Sequence, residues 1–457
     1  MKKIVTYTVL FYLRVFTKLA IFLGKPIIIG VAGSVGKSST RNALYAIFKD
    51  NSKTFVAEGN SETGIPLGIL GIETKGFGFF DWISYCLKAP FKIFNIRSYK
   101  YLIVEMGIDD PYPPKNMEYL LSILKPDIAV SLNIAGPHFE QFEKTLLGAP
   151  DAIKDDSKKR LDFILQKMAE EDTKIITKSN CRIGVYNSDD ENIVNALSSL
   201  DKNSQTKLLS FGTSNRASIW YKSYSVTNSG TKFSYVISDT KKIVTLDFPN
   251  LLLPKAYREV FASSLLTAIS SGINLPNAIN SLLKNFYLPA GRSTILKGVR
   301  KTTIIDSSYN APKKATLEFL ALCEQLKKNT GKKLVFLMGD MRELGQESEI
   351  EHNEVANEII KAVDFLYCVG TLTKKYIMPI VDKKVKSMWF ENYKKAGEYL
   401  KDNIPQNSLV LVKGSQNTIF LEEAIKYLLK DKEDEKKLCR QDDYWLKIKK
   451  LNFSKSS

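Results

Sequence analysis

The stretch "GVAGSVGKSST", residues 30–40, follows the apolar run Pro26-Ile27-Ile28-Ile29 and opens into a helix-like segment from Arg41 to Phe48. Gly33 and Gly36, with Gly30 before them, allow a tight loop whose backbone N–H groups converge on an anion at a helix N-terminus. In that frame Lys37 supplies a point charge for the outer phosphates and Ser38 can ligate Mg2+, while Ser34 and Ser39 complete the row of hydroxyls and amides. The stretch therefore predicts a nucleoside triphosphate site. Its spacing is G-x-x-G-x-x-G-K-[ST], and the strict Walker pattern would need glycine at Val31. A chance glycine turn is the bland alternative, against which stand the apolar run before the loop and the helix after it.

Outward from the loop, the chain alternates short apolar runs with polar turns. "KPIIIGVAG", "KTFVAEGN", "YLIVEMG" and "PDIAVSLNIAG" suit a parallel sheet buried on both faces. Between about 174 and 250 come shorter strands, "RIGVYNSDD", "KLLSFG", "SIWYKSYSV" and "TKFSYVIS", expected to form an antiparallel edge of the same domain. After "LPAGRST" a second series begins, "TTIIDSSYN", "KLVFLMGD", "DFLYCVG" and "SLVLVKGS", which predicts a smaller doubly wound domain. The predicted fold class is thus α/β: a P-loop-type central domain with a mostly parallel sheet and an antiparallel edge, then a smaller Rossmann-like C-terminal domain. The expected divisions are an apolar, amphipathic N-terminal helix over 1–24, the ATP-binding domain over 25–290, the C-terminal domain over 291–430 and a charged tail over 431–457, loose at its end.

The size of 457 residues and the composition of 44% hydrophobic and 25% charged residues fit two or three globular domains. The net charge of +17 attracts nucleic acid, an anionic membrane surface or acidic substrates without distinguishing them. A nucleic-acid role would need aromatic and basic residues interleaved on a recognisable module, and none is present. Cys86, Cys181, Cys323, Cys368 and Cys439 are odd in number and scattered, which predicts reduced thiols and a cytoplasmic protein rather than a disulfide frame. The opening 24 residues carry a basic start but no small-residue cleavage site. On a helix Lys3, Tyr7, Arg14 and Lys18 share one side, and Val9, Leu10, Leu13, Phe16, Ala20 and Leu23 form a wide apolar face. Two readings stand: a helix in the membrane interface, or one packed on the protein's own body or a second subunit.

Two further residues carry chemistry. Glu105 closes the apolar run "YLIVEMG", where a strand-end carboxylate can hold Mg2+ directly or through water. His138 in "NIAGPHFEQF" is one of two histidines in the chain and stands just past another strand. Taken alone each has a bland reading, as a strand terminus and a structural histidine, and the neighbouring phosphate loop favours the functional one.

In order along the chain, "GVAGSVGKSST", "GNSETGIPLGIL", "YLIVEMG", "DIAVSLNIAGPHFEQF", "RIGVYNSDD", "LPAGRS", "IIDSSYNAPKKAT", "LMGDMRELG" and "LVKGSQ" resemble the Mur ligases. The resemblance is strongest to their MurF type, which joins D-alanyl-D-alanine to a UDP-N-acetylmuramoyl tripeptide. It runs from about Ile27 to Leu429, and "DSSYNA" with "GDMRELG" are its most specific words. It implies an ATP- and Mg2+-dependent ligase that phosphorylates a carboxylate of a cell-wall precursor and joins it to an amino acid or dipeptide through an amide bond. It further implies that Lys37 and the loop amides hold the outer phosphates, that Ser38 and Glu105 fix one Mg2+, and that His138 holds a second. A carbamylated lysine supports that second metal in the family. Lys158 in "DAIKDDSKKRLDF", a lysine shortly before an apolar residue, is the choice here, with Lys154 as the alternative; the interval from the histidine is longer than the family's. The same resemblance assigns Arg292 to the phosphates, Asp306 to the ribose, Asn310 to the nucleotide, Asn60 and Glu62 to the acceptor, and Lys413 and Ser415 to the incoming amino component.

Two departures bear on function. Tyr257, Arg258 and Phe261 occupy the places of the family's His-Asn and Asn near the adenine. Before the phosphate loop stand only about two dozen residues, where the family carries a UDP-binding domain, so the acceptor is expected to be anchored otherwise. Residues 1–23 and the basic surface suggest peripheral contact with the inner face of the membrane. The rival functions are a Mur-like ligase for a lipid-linked or polyglutamate-type acceptor and a non-catalytic ATP-binding scaffold.

Overall fold

The computed structural model describes residues 2–74, 76–135, 139–201, 203–342, 344, 347–415 and 419–454. They form two compact units, the first comprising 1–223, 234–246 and 257–286, the second 224–233, 247–256 and 287–457.

The first unit is built on β1 (Ile27–Ala32), β2 (Thr54–Val56), β3 (Tyr101–Glu105), β4 (Ile128–Ser131), β5 (Ile183–Asn187) and β6 (Lys207–Gly212), and the sheet continues through β7 (Ile219–Thr227), β8 (Gly230–Ile237) and β9 (Lys242–Pro249), of which residues 224–233 and 247–249 count with the second unit. Their order is β2-β3-β1-β4-β5-β6-β7-β8-β9. β1 lies between β3 and β4, parallel to both, with Val31 opposite Glu105 and Ala32 opposite Ser131. Chain order therefore reverses at β1, and the crevice beyond the carboxyl ends of the strands at such a switch point is where open α/β sheets take ligands. The residues Ile29, Val31, Leu102, Val104, Ala129 and Val130 are buried, which is why these runs are apolar without alternation.

The antiparallel part is smaller than the sequence suggested. "RIGVYN" and "KLLSFG" pair parallel to their neighbours as β5 and β6, because a helix over Glu191–Leu197 crosses between them, and such a crossover returns the chain in the same direction. Only β7 to β9, joined through short turns at 228–229 and 238–241, reverse direction as hairpins must.

Four helices flank the site or its surroundings: α1 (Lys2–Gly24), α2 (Lys37–Asn51), α3 (Gly64–Ile69) and α4 (Phe79–Lys88). In α2 the buried Thr40, Ala43, Leu44, Ile47 and Phe48 recur at helical spacing and turn one stripe onto the sheet. α1 buries Leu10, Leu13, Thr17 and Ala20. Its Tyr12 hydroxyl donates to the carbonyl of Cys86, and Arg14 donates to Ser122 Oγ. The apolar face read from the sequence thus packs on the unit's own body.

The second unit holds a sheet of order β10-β11-β15-β12-β13-β14, with β10 (Thr294–Lys297), β11 (Thr303–Asp306), β12 (Leu334–Gly339), β13 (Phe365–Val369), β14 (Lys386–Phe390) and β15 (Leu409–Lys413). β10 runs antiparallel to β11, and the other pairs are parallel. The charged tail forms a helix over Asp443–Ser454, with Arg440 and Lys449 buried, and its last three residues, expected to be loose, lie outside the described residues.

Candidate active site

The loop after β1 is shaped by two glycines and one asparagine. Gly33 (φ 130°) and Gly36 (φ 92°) take left-handed conformations that a side chain disfavours, and a Cβ on Gly33 would lie 2.9 Å from that of Leu132. Asn133, just past β4, accepts from the Val35 N–H at 3.0 Å and donates to the Val35 carbonyl at 3.0 Å and to Glu259 at 3.0 Å. Ser34 donates its N–H to the Asn133 carbonyl and accepts at Oγ from Ala135 N–H. This clamp holds the loop amides in place over the first turn of α2, where the helix dipole and unpaired N–H groups favour an anion. Lys37 Nζ lies across the loop, donating to the carbonyls of Gly33 at 2.6 Å and Ser34 at 3.4 Å.

At the next residue, Ser38 Oγ sits 2.9 Å from Glu105 Oε2 and 3.2 Å from Oε1. Asn60 donates to Glu105 at 3.4 Å, and an Arg41 guanidinium nitrogen stands 3.8 Å from the same carboxylate. Among the described residues, no three His, Cys, Asp or Glu side chains gather to hold a metal. A hydroxyl and a carboxylate side by side at a phosphate loop are hard oxygen donors that fit Mg2+, an ion that keeps several waters and completes its shell with phosphate oxygens. Behind the loop, Asp172 is buried and accepts from Ser131 Oγ at 2.7 Å. Burial pushes its pKa up to about 6, against the opposing hydrogen bond from Ser131.

The second unit gathers a separate cluster at the carboxyl ends of β11 and β15. Asp306 is buried, its Oδ1 accepting from Ser308 N–H at 2.9 Å and its Oδ2 without a partner among the described residues. Burial raises its pKa to about 6. Lys413 is buried too, donating to Ser307 Oγ at 3.1 Å and to the Asn310 carbonyl at 2.9 Å. Burial, reinforced by the charge of Arg292, lowers its pKa to about 7. A lysine whose hydrogen-bond acceptors among the described residues are neutral is poised to gain from an incoming carboxylate. The loop beneath is fastened from the tail: Arg440 donates to the Ser308 and Tyr309 carbonyls and pairs with Glu422 at 2.6 Å, while Lys449 pairs with Glu422 at 3.0 Å.

Residues 291–416, which carry this cluster, match the Mur ligase, glutamate ligase domain family. Along 87% of its length the chain is 26% identical to the UDP-N-acetylmuramoyl-tripeptide–D-alanyl-D-alanine ligase of Buchnera aphidicola, covering 75% of that protein. The enzyme of the same name from Rickettsia prowazekii is also 26% identical, with 87% of this chain and 77% of the relative covered. The chain is thus similar to the Mur ligases along most of its length, and residues 291–416 carry their glutamate ligase domain. Its fold agrees, since the crystal structure of the MurF ligase from Thermotoga maritima in complex with ADP superposes with a TM-score of 0.68 at 21% identity, over 93% of this chain and 84% of the other.

Four of the residues singled out in sequence, Lys37, Ser38, Glu105 and Asn60, stand together, with Gly33, Ser34 and Gly36 forming the loop and Ser39 half-buried beside them. Glu62 is half-buried beyond Asn60 on the same segment. His138 lies outside the described residues. Lys158 is exposed in the first turn of the helix Ser157–Asp172, its N–H donating to the Asp156 side chain; Lys154 pairs with Asp151. Among the described residues nothing joins either lysine to Ser38 and Glu105. In the second unit Asp306, Asn310 and Lys413 converge, Ser415 accepts from Arg342 N–H at 3.0 Å, and Arg292 lies exposed over the Tyr309 ring at 4.5 Å.

Several residues of these sites escaped the sequence reading. Asn133 and Glu259, which clamp the loop, lie far apart in the chain and belong to no short motif. Ser307 acts through a buried hydroxyl and Arg440 through backbone carbonyls distant in the chain, which spacing does not reveal. Where the sequence departs from the family's pattern, Tyr257, Phe261 and Phe286 form an aromatic cluster with centroids 5.1 to 6.2 Å apart, and Arg258 lies over the Tyr221 ring at 4.5 Å.

Proposed function

We propose that this chain joins D-alanyl-D-alanine to a UDP-N-acetylmuramoyl tripeptide in the cytoplasm, using ATP. The γ-phosphoryl group of ATP passes to the tripeptide's terminal carboxylate, breaking the bond to the leaving ADP oxygen and forming an acyl phosphate. The amine of the dipeptide attacks the acyl carbon and loses a proton, and phosphate departs from the tetrahedral intermediate. Activation is needed because a carboxylate expels no good leaving group, and the chain's residues serve it by position and charge.

Lys37 and the loop amides hold the β- and γ-phosphates in this reading, Lys37 turning from the loop carbonyls to the phosphate oxygens. Mg2+, when bound, neutralises charge building on the transferred group, and Ser38 and Glu105 would hold it. Asn60 and Glu62 would face the acceptor, and His138 with Lys158 would serve a second Mg2+. Lys413 and Ser415 would take a carboxylate of the amino component, with Arg292, Asp306 and Asn310 toward the nucleotide.

The observation that carries this proposal is the contact of Ser38 with Glu105 at the end of a glycine loop, in a chain whose relatives share one name over most of its length. The test is phosphate release with ATP and Mg2+. Release that requires both the UDP-linked tripeptide and D-alanyl-D-alanine supports it. Release with a lipid-linked or polyglutamate-type acceptor in place of the tripeptide redirects the substrate, and ATP binding without turnover on any acceptor refutes the ligase.

A further inference from the structure

α1 spends its buried stripe on the body of the first unit, and its other side is also apolar: Val5, Phe11, Val15, Leu19 and Phe22 are exposed. The neighbouring segment continues this. α4 and the 3-10 turn after it, Ala89–Lys92, present Phe80, Ile83, Leu87, Phe91 and Phe94 at intervals of three and four residues, with exposures of 81%, 41%, 66%, 84% and 55%. Phe77 and Phe79 extend the row at 70% and 72%. Helical spacing puts these side chains on one outward stripe while Tyr85 and Ala89 face the core. Scattered exposed apolar residues are ordinary, but a contiguous aromatic ridge marks an interaction surface.

The two stripes belong to elements in contact. Tyr12 on α1 donates to the Cys86 carbonyl on α4, and Leu13 and Ala20 share a core with Tyr85, Ala89 and Ile96. Around them the charge is of one sign. Residues 1–25 contain Lys2, Lys3, Arg14, Lys18 and Lys25 and no acid, and residues 76–100 contain Lys88, Lys92, Arg97 and Lys100 against Asp81 alone. Asp81 accepts from the Gly78 N–H, and the basic residues outnumber it four to one.

We propose that α1 and the ridge over 77–94 form a docking surface for an anionic phospholipid bilayer, with the aromatic row seated at the headgroup boundary and the lysines on lipid phosphates. Charge selects this occupant over a second copy of the chain. A two-fold interface would bring the same basic rim against itself, whereas an anionic leaflet complements it. Packing selects a helix lying on the surface over one that crosses. α1 is long and apolar enough to span a bilayer, with mean hydropathy 1.4 over Val5–Gly24, but crossing would strip Leu13 and Ala20 from their core and break the bonds of Tyr12 and Arg14.

The experiment is flotation of the full chain with vesicles of phosphatidylglycerol and phosphatidylcholine, compared with phosphatidylcholine alone. The chain is expected to float with the anionic vesicles and to be released by salt. The triple variant Phe80→Ser/Leu87→Ser/Phe91→Ser should partition roughly tenfold or more weakly while keeping its melting temperature, since the three side chains are exposed. Lys88→Glu/Lys92→Glu should lose most of the preference for anionic lipid. The proposal is overturned if the wild-type chain ignores anionic vesicles, or if the triple variant floats as well as wild type. It is also overturned if the ridge instead holds a dimer that the triple variant dissolves in sedimentation with no flotation. None of these outcomes depends on the ligase assay.

Discussion

Lys413 offers a sharp test, because its two roles make opposite demands. Burial drops its pKa from 10.5 to about 7, so between those values the folded chain binds fewer protons than the unfolded one. Stability must then rise with pH through that window. Integrating the drop, the buried amine costs about 4 kcal/mol at pH 7 and about 1 kcal/mol at pH 10. Lys413→Met keeps the length of the side chain and removes the amine, leaving Ser307 Oγ and the Asn310 carbonyl without their donor at a loss of about 2 kcal/mol. The variant should therefore be more stable than wild type by about 2 kcal/mol at pH 7 and less stable by about 1 kcal/mol at pH 10, with ligase activity lost at both. Urea unfolding followed by circular dichroism at the two pH values reads the difference directly. A stability difference of the same sign and size at both would refute the reasoning, since it would mean that the amine is not held against its charge. The gain in stability with loss of activity is what a site kept for an incoming anion predicts.

Other outcomes follow from the same geometry. Glu105→Gln should lower kcat/KM by roughly 10²- to 10³-fold and move half-saturation to higher Mg2+, whereas an unchanged metal dependence would remove Glu105 from the site. Lys37→Met should weaken ATP by about a hundredfold in calorimetric titration, as loss of charge-assisted bonds worth about 3 kcal/mol requires. Glu422→Gln leaves the buried Arg440 without its charge partner and should destabilise by about 3–5 kcal/mol; a change near zero would show that the tail does not fasten the 307–310 loop. If Lys158 is the metal-supporting lysine, Lys158→Ala abolishes turnover and Lys154→Ala does not, and the reverse pattern transfers the assignment.

Local chemistry was legible where the chain itself supplies it. The glycines and lysine of residues 30–40 sit within one turn of each other, and their function follows from backbone freedom and charge at a helix start, so Gly33, Gly36, Lys37 and Ser38 could be named before any fold was known. Glu105 could be named because the neighbouring phosphate loop gave a strand-end acid, otherwise an ordinary strand terminus, a use. The direction of β5 and β6 could not, because short half-buried strands look alike in either direction and the crossover between them decides. For α1 the apolar face was foreseen, yet a helix apolar nearly all round does not say which side meets protein. Leu10, Leu13 and Ala20 turned inward and Phe11, Val15 and Phe22 outward only because Tyr85 and Ile96 offered a surface to pack on.

The amino-acid order alone determined a phosphate loop, two αβ series and the succession of words that mark a Mur ligase, since these reside in contacts between near neighbours and in runs of burial. Tertiary structure decided the rest: Asn133 and Glu259 as the loop's clamp, Lys413 and Asp306 as ionisable groups out of water, Arg440 as an anchor, and an aromatic ridge left uncovered. Desolvation and long-range packing set those properties, and both depend on what the fold brings alongside a residue rather than on the residue's place in the chain.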